Sequence, residues 1–126
     1  MMPIWMKRRN KYGNCKTELD GVTFDSRKEA RRYAELCMLQ KAGLISDLKR
    51  QQRFEIVPKV TGNGETSRAR YYVADFTYTQ EGQKVIEDVK SPATRADKVY
   101  SLKKALMVWK YTAAGNQGGD WLFREM

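Results

Sequence analysis

The sequence predicts a mixed α/β (α+β) domain in the order α-β-β-β-α-β, with a central mixed sheet flanked by helices. Three observations carry this. Two stretches, from Ser26 to Gly43 and from about Arg95 to Tyr111, place apolar residues at helical spacing behind capping residues. Between them lie a strand-like run, Phe54 to Val60, and two more such runs in Tyr71 to Lys90 joined by a short polar turn. Neighbouring strands of this kind pair as an antiparallel meander. The last run, Trp121 to Arg124, follows a helix and so has room to pair in parallel.

Taken in order, residues 1–14 (MMPIWMKRRNKYGN) are basic and aperiodic, and read as an N-terminal arm. Lys7, Arg8, Arg9 and Lys11, with Trp5 and Tyr12, suit either a phosphate backbone and exposed bases or a frayed terminus. No apolar stretch follows the opening charges, so a signal peptide is not expected. Lys16 to Phe24 reads as a short strand pair turning at Asp20-Gly21. Ser26-Arg27-Lys28-Glu29 is a capping box that starts the first helix. Ala30, Tyr33, Ala34, Cys37 and Met38 form its expected buried stripe, and Gly43 its stop.

Ser46 to Arg53 reads as a polar connection, Pro58 as a sign of a strand edge or end, and Thr61 to Arg68 as a loop. Beyond Lys90, Ser91-Pro92 stops the strand and Thr94 is placed to cap the second helix. Val99, Leu102, Leu106 and Trp109 are expected to be its buried stripe, with Lys98, Lys103, Lys104 and Lys110 off it.

At 126 residues the chain is expected to be a single domain. No apolar run is long enough to span a bilayer. Cys15 and Cys37 make no disulfide framework, which fits a reducing cytoplasm. The absence of histidine excludes Ser/His and Cys/His nucleophilic chemistry and most zinc sites, leaving carboxylate-bound Mg²⁺ or Mn²⁺ as the metal option. The net charge is +9 and is unevenly spread. Residues 1–53 carry thirteen Lys/Arg against six Asp/Glu, 91–126 six against three, but 54–90 five against six. Basic flanks around an acidic centre suit a polyanion and a divalent cation together.

The acidic centre holds the candidate site. Asp88 and Lys90 are two residues apart and so share a strand face. Folding the hairpin about Gln80, Glu81 and Gly82 brings Asp75 opposite Asp88, within one residue of register. An acid inside an aromatic, β-branched run is costly unless paired or liganded, which singles out Asp75. Asp88 and Lys90 alone could be a solvated strand face. Glu87 points the other way and reads as a surface or salt-bridge residue. Two carboxylates and a lysine without histidine suit metal-assisted phosphodiester hydrolysis.

Ala74-Asp75, then about a dozen residues, then Asp88-Val89-Lys90 resembles the signature of the PD-(D/E)XK (restriction-endonuclease-like) nucleases, with alanine in place of the usual proline. Most of the chain is similar to a family of small phage-encoded nucleases of that superfamily. The likeness runs through Asn10 to Asn14, DGVTFDSRKEARRYAEL (20–36), Ala74-Asp75-Phe76, Ile86 to Lys90, and Lys98 to Lys104.

The resemblance implies a restriction-endonuclease-like core and a Mg²⁺- or Mn²⁺-dependent DNA endonuclease. Asp75 and Asp88 would be metal ligands, the Val89 carbonyl a third, and Lys90 the catalytic lysine. Glu29 would be a further ligand, although the residues alone make it a helix cap. Gln52 would be a minor candidate near the site. Lys11, Arg27, Arg31, Lys98, Tyr100 and Lys103 would meet DNA. A structure-selective enzyme is implied, cutting branched DNA such as a Holliday junction in phage recombination, replication or packaging. A homodimer is expected, with no membrane or nucleotide cofactor, in the bacterial cytoplasm. The alternative is a non-catalytic DNA-binding accessory protein on the same fold, or a phage protein whose basic face binds protein.

Overall fold

The computed structural model describes residues 17–19, 22–24, 26–113 and 119–126. The arm 1–14 with Lys11, and Cys15, lie outside them. The described chain is α+β, with a central mixed sheet and helices, as expected. It forms two compact units, residues 1–45 and 46–126.

In the first unit, β1 (Thr17–Leu19) and β2 (Val22–Phe24) form an antiparallel hairpin with Leu19 opposite Val22. They lead into α1 (Arg27–Lys41). Ser26 is its cap, with Oγ accepting from the Glu29 N–H at 3.1 Å. Gly43 ends it in the left-handed region, φ +82°. Of the expected stripe Ala30 is buried, Tyr33, Ala34 and Cys37 are half-buried, and Met38 is out. Glu29, Ala30 and Leu36 are buried, whereas Met38 is 71% exposed. Phe24 packs on Tyr33 at 5.2 Å between ring centroids.

The second unit holds β3 (Ser46–Val57), β4 (Val60–Gly62), β5 (Glu65–Ser67), β6 (Arg70–Gln80) and β7 (Gln83–Asp88). These are followed by α2 (Pro92–Ala96), α3 (Lys98–Tyr111) and β8 (Leu122–Glu125). The four-stranded sheet has the order β3-β6-β7-β8. The first three strands are antiparallel neighbours and β8 joins β7 in parallel. The hairpin turn is Glu81-Gly82, both at positive φ, with Gln80 paired to Gln83. Two consecutive left-handed residues match the right-handed twist of the arms they join.

Three expectations are corrected here. Ser46 to Arg53 is strand, because an edge strand needs only one apolar face. Leu48, Arg50, Gln52, Phe54 and Ile56 alternate inward, and a bulge near Asp47 (φ +56°) absorbs an extra residue. Thr61 to Arg68 is mostly a hairpin arm and turn, β4 and β5 closing on Asn63-Gly64, both at positive φ. Ser91, rather than Thr94, caps a one-turn α2 opening on Pro92, and Asp97 caps α3 by accepting from the Tyr100 N–H at 2.9 Å.

The buried arc of α3 is displaced. Tyr100 and Met107 face the core, while Val99 and Leu102 are 61% and 63% exposed and Trp109 is exposed too. Tyr100 and Met107 join Phe54, Ile56, Tyr72, Ala74 and Ile86 in one apolar cluster. Trp121 and Tyr111 meet the Phe54 ring edge-on at 5.4 and 5.1 Å. This packing holds α3 against the sheet.

Candidate active site

Asp75 and Asp88 stand opposite each other where the β6–β7 ladder ends, one step beyond the Phe76–Glu87 pair. Their side chains replace the ladder bonds there. The Asp75 N–H donates to Asp88 Oδ1 at 3.0 Å, and the Val89 N–H donates to Asp75 Oδ2 at 2.9 Å. Each carboxylate thus caps the other strand's backbone, which fixes both rotamers. Asp75 is buried and Asp88 fully so. Lys90 reaches back to Asp75, with Nζ 3.6 Å from Oδ2, its side chain 22% exposed. It also lies 5.6 Å above the Tyr100 ring.

β8 holds the lower side of this corner. The Met126 N–H donates to the Asp88 carbonyl at 2.8 Å, and the Lys90 N–H to the Met126 carbonyl at 3.3 Å. Asp88 and Lys90 are therefore placed by strand geometry from both sides.

One atom is left over. Asp88 Oδ2 is buried and has no hydrogen-bond partner among the described residues. A carboxylate oxygen in that state is costly. Burial accordingly pushes the Asp88 carboxyl above the usual range, with Glu125 adding to the effect and Lys90 and the Asp75 N–H opposing it. A divalent cation is the ligand that such an oxygen fits: hard, doubly positive and oxygen-seeking. The donor set available is Asp75 Oδ1, which takes no part in the contacts above, Asp88 Oδ2, and the Val89 carbonyl. It is sparse. Among the described residues no group of three His, Cys, Asp or Glu side chains converges.

The other sequence candidates fall into separate places. Glu29 belongs to the first unit, in the first turn of α1, where its N–H is capped by Ser26 and its side chain is buried. Arg27 and Arg31 are on the same helix, half-buried and exposed. Lys98 and Lys103 are exposed on α3. Tyr100 is buried, and its hydroxyl donates to Glu125. Gln52 Oε1 accepts from Thr77 Oγ1 at 2.7 Å, tying β3 to β6. Glu87 is no surface residue; it is fully buried and accepts from the Tyr78 hydroxyl at 2.6 Å.

The residue that sequence reasoning missed is Glu125. It is the register partner of Asp88 on β8 and gathers Tyr100, Arg95 at 3.2 Å and Lys104 at 3.2 Å. The only signal was that the Trp121 run extends one residue beyond Arg124. Burial works to raise the Glu125 carboxyl, but the Tyr100 hydroxyl, Lys104 and Arg95 together outweigh it and hold it below the usual range. Tyr100 is pushed the opposite way, up, by burial and by the Glu125 bond.

A depressed carboxyl adds stability above its unfolded value, near 4.5, and loses it as pH falls through the lower folded value. The stability gap between wild type and Glu125→Gln is therefore expected to be widest at neutral pH and to close on acidification below about pH 4. Urea midpoints measured at several pH values check this, and a gap independent of pH would contradict it.

No helix among the described residues is long and apolar enough to cross a membrane. Comparison with curated proteins and with solved structures finds no match. A family model described as "Protein of unknown function (DUF1064)" matches residues 9–124, nearly the whole chain. The chain belongs to that family.

Proposed function

We propose that this protein is a Mg²⁺- or Mn²⁺-dependent DNA endonuclease of the PD-(D/E)XK type. The observation that carries the reading is the pair Asp75 and Asp88, locked across two strands with one buried carboxylate oxygen unpartnered and Lys90 against the other acid. Asp75, Asp88 and the Val89 carbonyl would hold the cation. When bound, it supplies positive charge to the phosphate and acidifies water.

The chain's own residues do the rest. The mutual capping of the aspartates holds their free oxygens fixed, so no reorganisation is needed as charge develops. Lys90 sets an ammonium beside Asp75, where it orients the attacking water and offsets charge on phosphorus. Water's oxygen bonds to phosphorus as it gives up a proton to solvent, the P–O3′ bond breaks, and the leaving 3′-oxygen takes a proton from solvent, giving a 5′-phosphate and a 3′-hydroxyl. No redox partner is required.

The basic balance of the chain supports DNA as the substrate. The finer reading is a structure-selective enzyme acting on branched DNA, of phage or prophage origin and working in the host cytoplasm. Two symmetric cuts at a junction need two sites, hence a homodimer. The sparse donor set favours one rival, a DNA-binding protein that keeps the site's framework without cutting.

The test is cleavage of a labelled four-way junction, a matched duplex and a single strand with Mg²⁺, with Mn²⁺ and with chelator. Metal-dependent cutting that falls about 10²–10³-fold in Lys90→Ala is the expected result. Binding of every substrate with no cutting under either metal would give the rival reading the field.

A further inference from the structure

Glu125 gathers charge that the two aspartates and Lys90 leave unused. It is the register partner of Asp88 on the parallel β7–β8 pair, so the two acids share a sheet face one strand apart. Its side chain is 15% exposed and accepts from the buried Tyr100 hydroxyl. Arg95 Nε lies 3.2 Å from its Oε1, and Lys104 Nζ 3.2 Å from its Oε2. Two cations on one acid leave the group with a positive charge in excess. Both cations reach solvent, with side chains 42% and 38% exposed. Arg95 meets Glu125 through Nε, and its two Nη atoms have no partner among the described residues. The nearby Asp97 carboxylate caps α3, accepting from the Tyr100 N–H at 2.9 Å. Ion pairs this exposed add little stability, so the fold gains little from bringing two of them to one acid.

We propose that Arg95 and Lys104 form a clamp for a backbone phosphate of DNA, next to the phosphate that the Asp75–Asp88 corner would cut. Glu125 is its positioning residue: it holds both cations one strand away from Asp88, and the Tyr100 hydroxyl fixes Glu125 in turn. Arg95 offers a planar fork that matches the two free oxygens of a phosphodiester, and Lys104 adds a point charge beside it. The inference rests on the nuclease reading and deepens it. A second phosphate held at fixed spacing sets the register of the strand over the two aspartates.

The experiment is fluorescence anisotropy in chelator, with a labelled paired duplex over a range of salt concentrations. Wild type, Arg95→Ala, Lys104→Ala, the double variant and Glu125→Gln are compared, each first shown to be folded by its thermal transition. The single alanine variants should bind several-fold more weakly. The double variant should lower the slope of log affinity against log salt by about 1, as the loss of one phosphate contact does. Glu125→Gln is the deciding variant. It removes a negative charge, so an acid that merely stands near DNA would give tighter binding when neutralised. A positioning acid gives several-fold weaker binding, because the cations lose the group that holds them.

Binding by Glu125→Gln that equals or exceeds wild type overturns the proposal. So does an unchanged salt slope in the double variant, or a wild type that does not bind the duplex at low salt. Should Glu125→Gln fail to fold, the salt slope of the double variant decides alone. Cleavage with Mg²⁺ is scored separately. Binding that depends on Arg95, Lys104 and Glu125 without any cutting supports the clamp and sinks the nuclease reading, whereas cutting by a protein whose binding ignores all three does the reverse.

Discussion

Asp88→Asn is expected to lose metal-dependent cleavage by on the order of 10³-fold or more while making the protein more stable. On the proposed function, the loss follows from removing charge that would hold the cation. The gain follows from the same buried oxygen. Asp88 is fully buried, one of its oxygens has no partner, and burial pushes its carboxyl upward. Asparagine keeps an acceptor for the Asp75 N–H and puts a neutral amide where the unpartnered oxygen was, which is cheaper to bury than charge. The gain should lie in the range of about 0.5–2 kcal/mol seen when a strained functional group is relieved.

Its pH dependence has a definite sign. A carboxyl raised on folding favours the fold while protonated, and that contribution is lost as pH rises through the folded value. The advantage of Asp88→Asn over wild type should therefore grow from about pH 4 to neutrality, opposite in direction to the Glu125 effect. Mg²⁺ or Mn²⁺ should raise the Tm of wild type, by about 3–6 °C at ten times Kd, and leave Asp88→Asn unmoved. Calorimetry of both proteins with and without metal reads all of this. A variant that is both inactive and clearly less stable would mean that Asp88 is a structural acid.

The hairpin that carries these residues was open to inspection in the sequence. Two β-patterned runs and the Glu81-Gly82 turn put Asp75 opposite Asp88 by counting alone. Where the reading slipped, periodicity gave spacing without phase. On α3 the sets Val99–Leu102–Leu106–Trp109 and Tyr100–Met107–Tyr111 both have helical spacing, and of the first set only Leu106 packs against the core. The Tyr100 hydroxyl meets Glu125, a contact between residues 25 positions apart that no local window sees. The polar start of β3 was hidden for another reason: an edge strand buries one face only, so Arg50 and Gln52 could occupy inward positions without looking like core. Asn63-Gly64, by contrast, is a turn signal legible in the sequence.

Glu87→Ala is expected to destabilise the protein by about 3 kcal/mol or more, the opposite of its neighbour's replacement. Both acids are fully buried at the end of β7, on opposite faces. They differ in partners. Glu87 accepts from the Tyr78 hydroxyl at 2.6 Å, and that hydroxyl accepts in turn from Arg124 at 2.8 Å, linking β6, β7 and β8. Truncation would leave a cavity, a tyrosine hydroxyl short of an acceptor, and a guanidinium with one less route to a negative charge. Tyr78→Phe should cost less, about 2 kcal/mol, since it removes the hydroxyl's two bonds but little volume. The two effects should fall short of additivity in the double variant by about 0.5–3 kcal/mol, because both act on one network. Urea denaturation of the four proteins measures this. Adjacent acids of equal burial thus become each other's control, because burial alone would make both substitutions move stability in the same direction. Opposite signs would show that Glu87 is held by its partners and that Asp88 is held for a ligand.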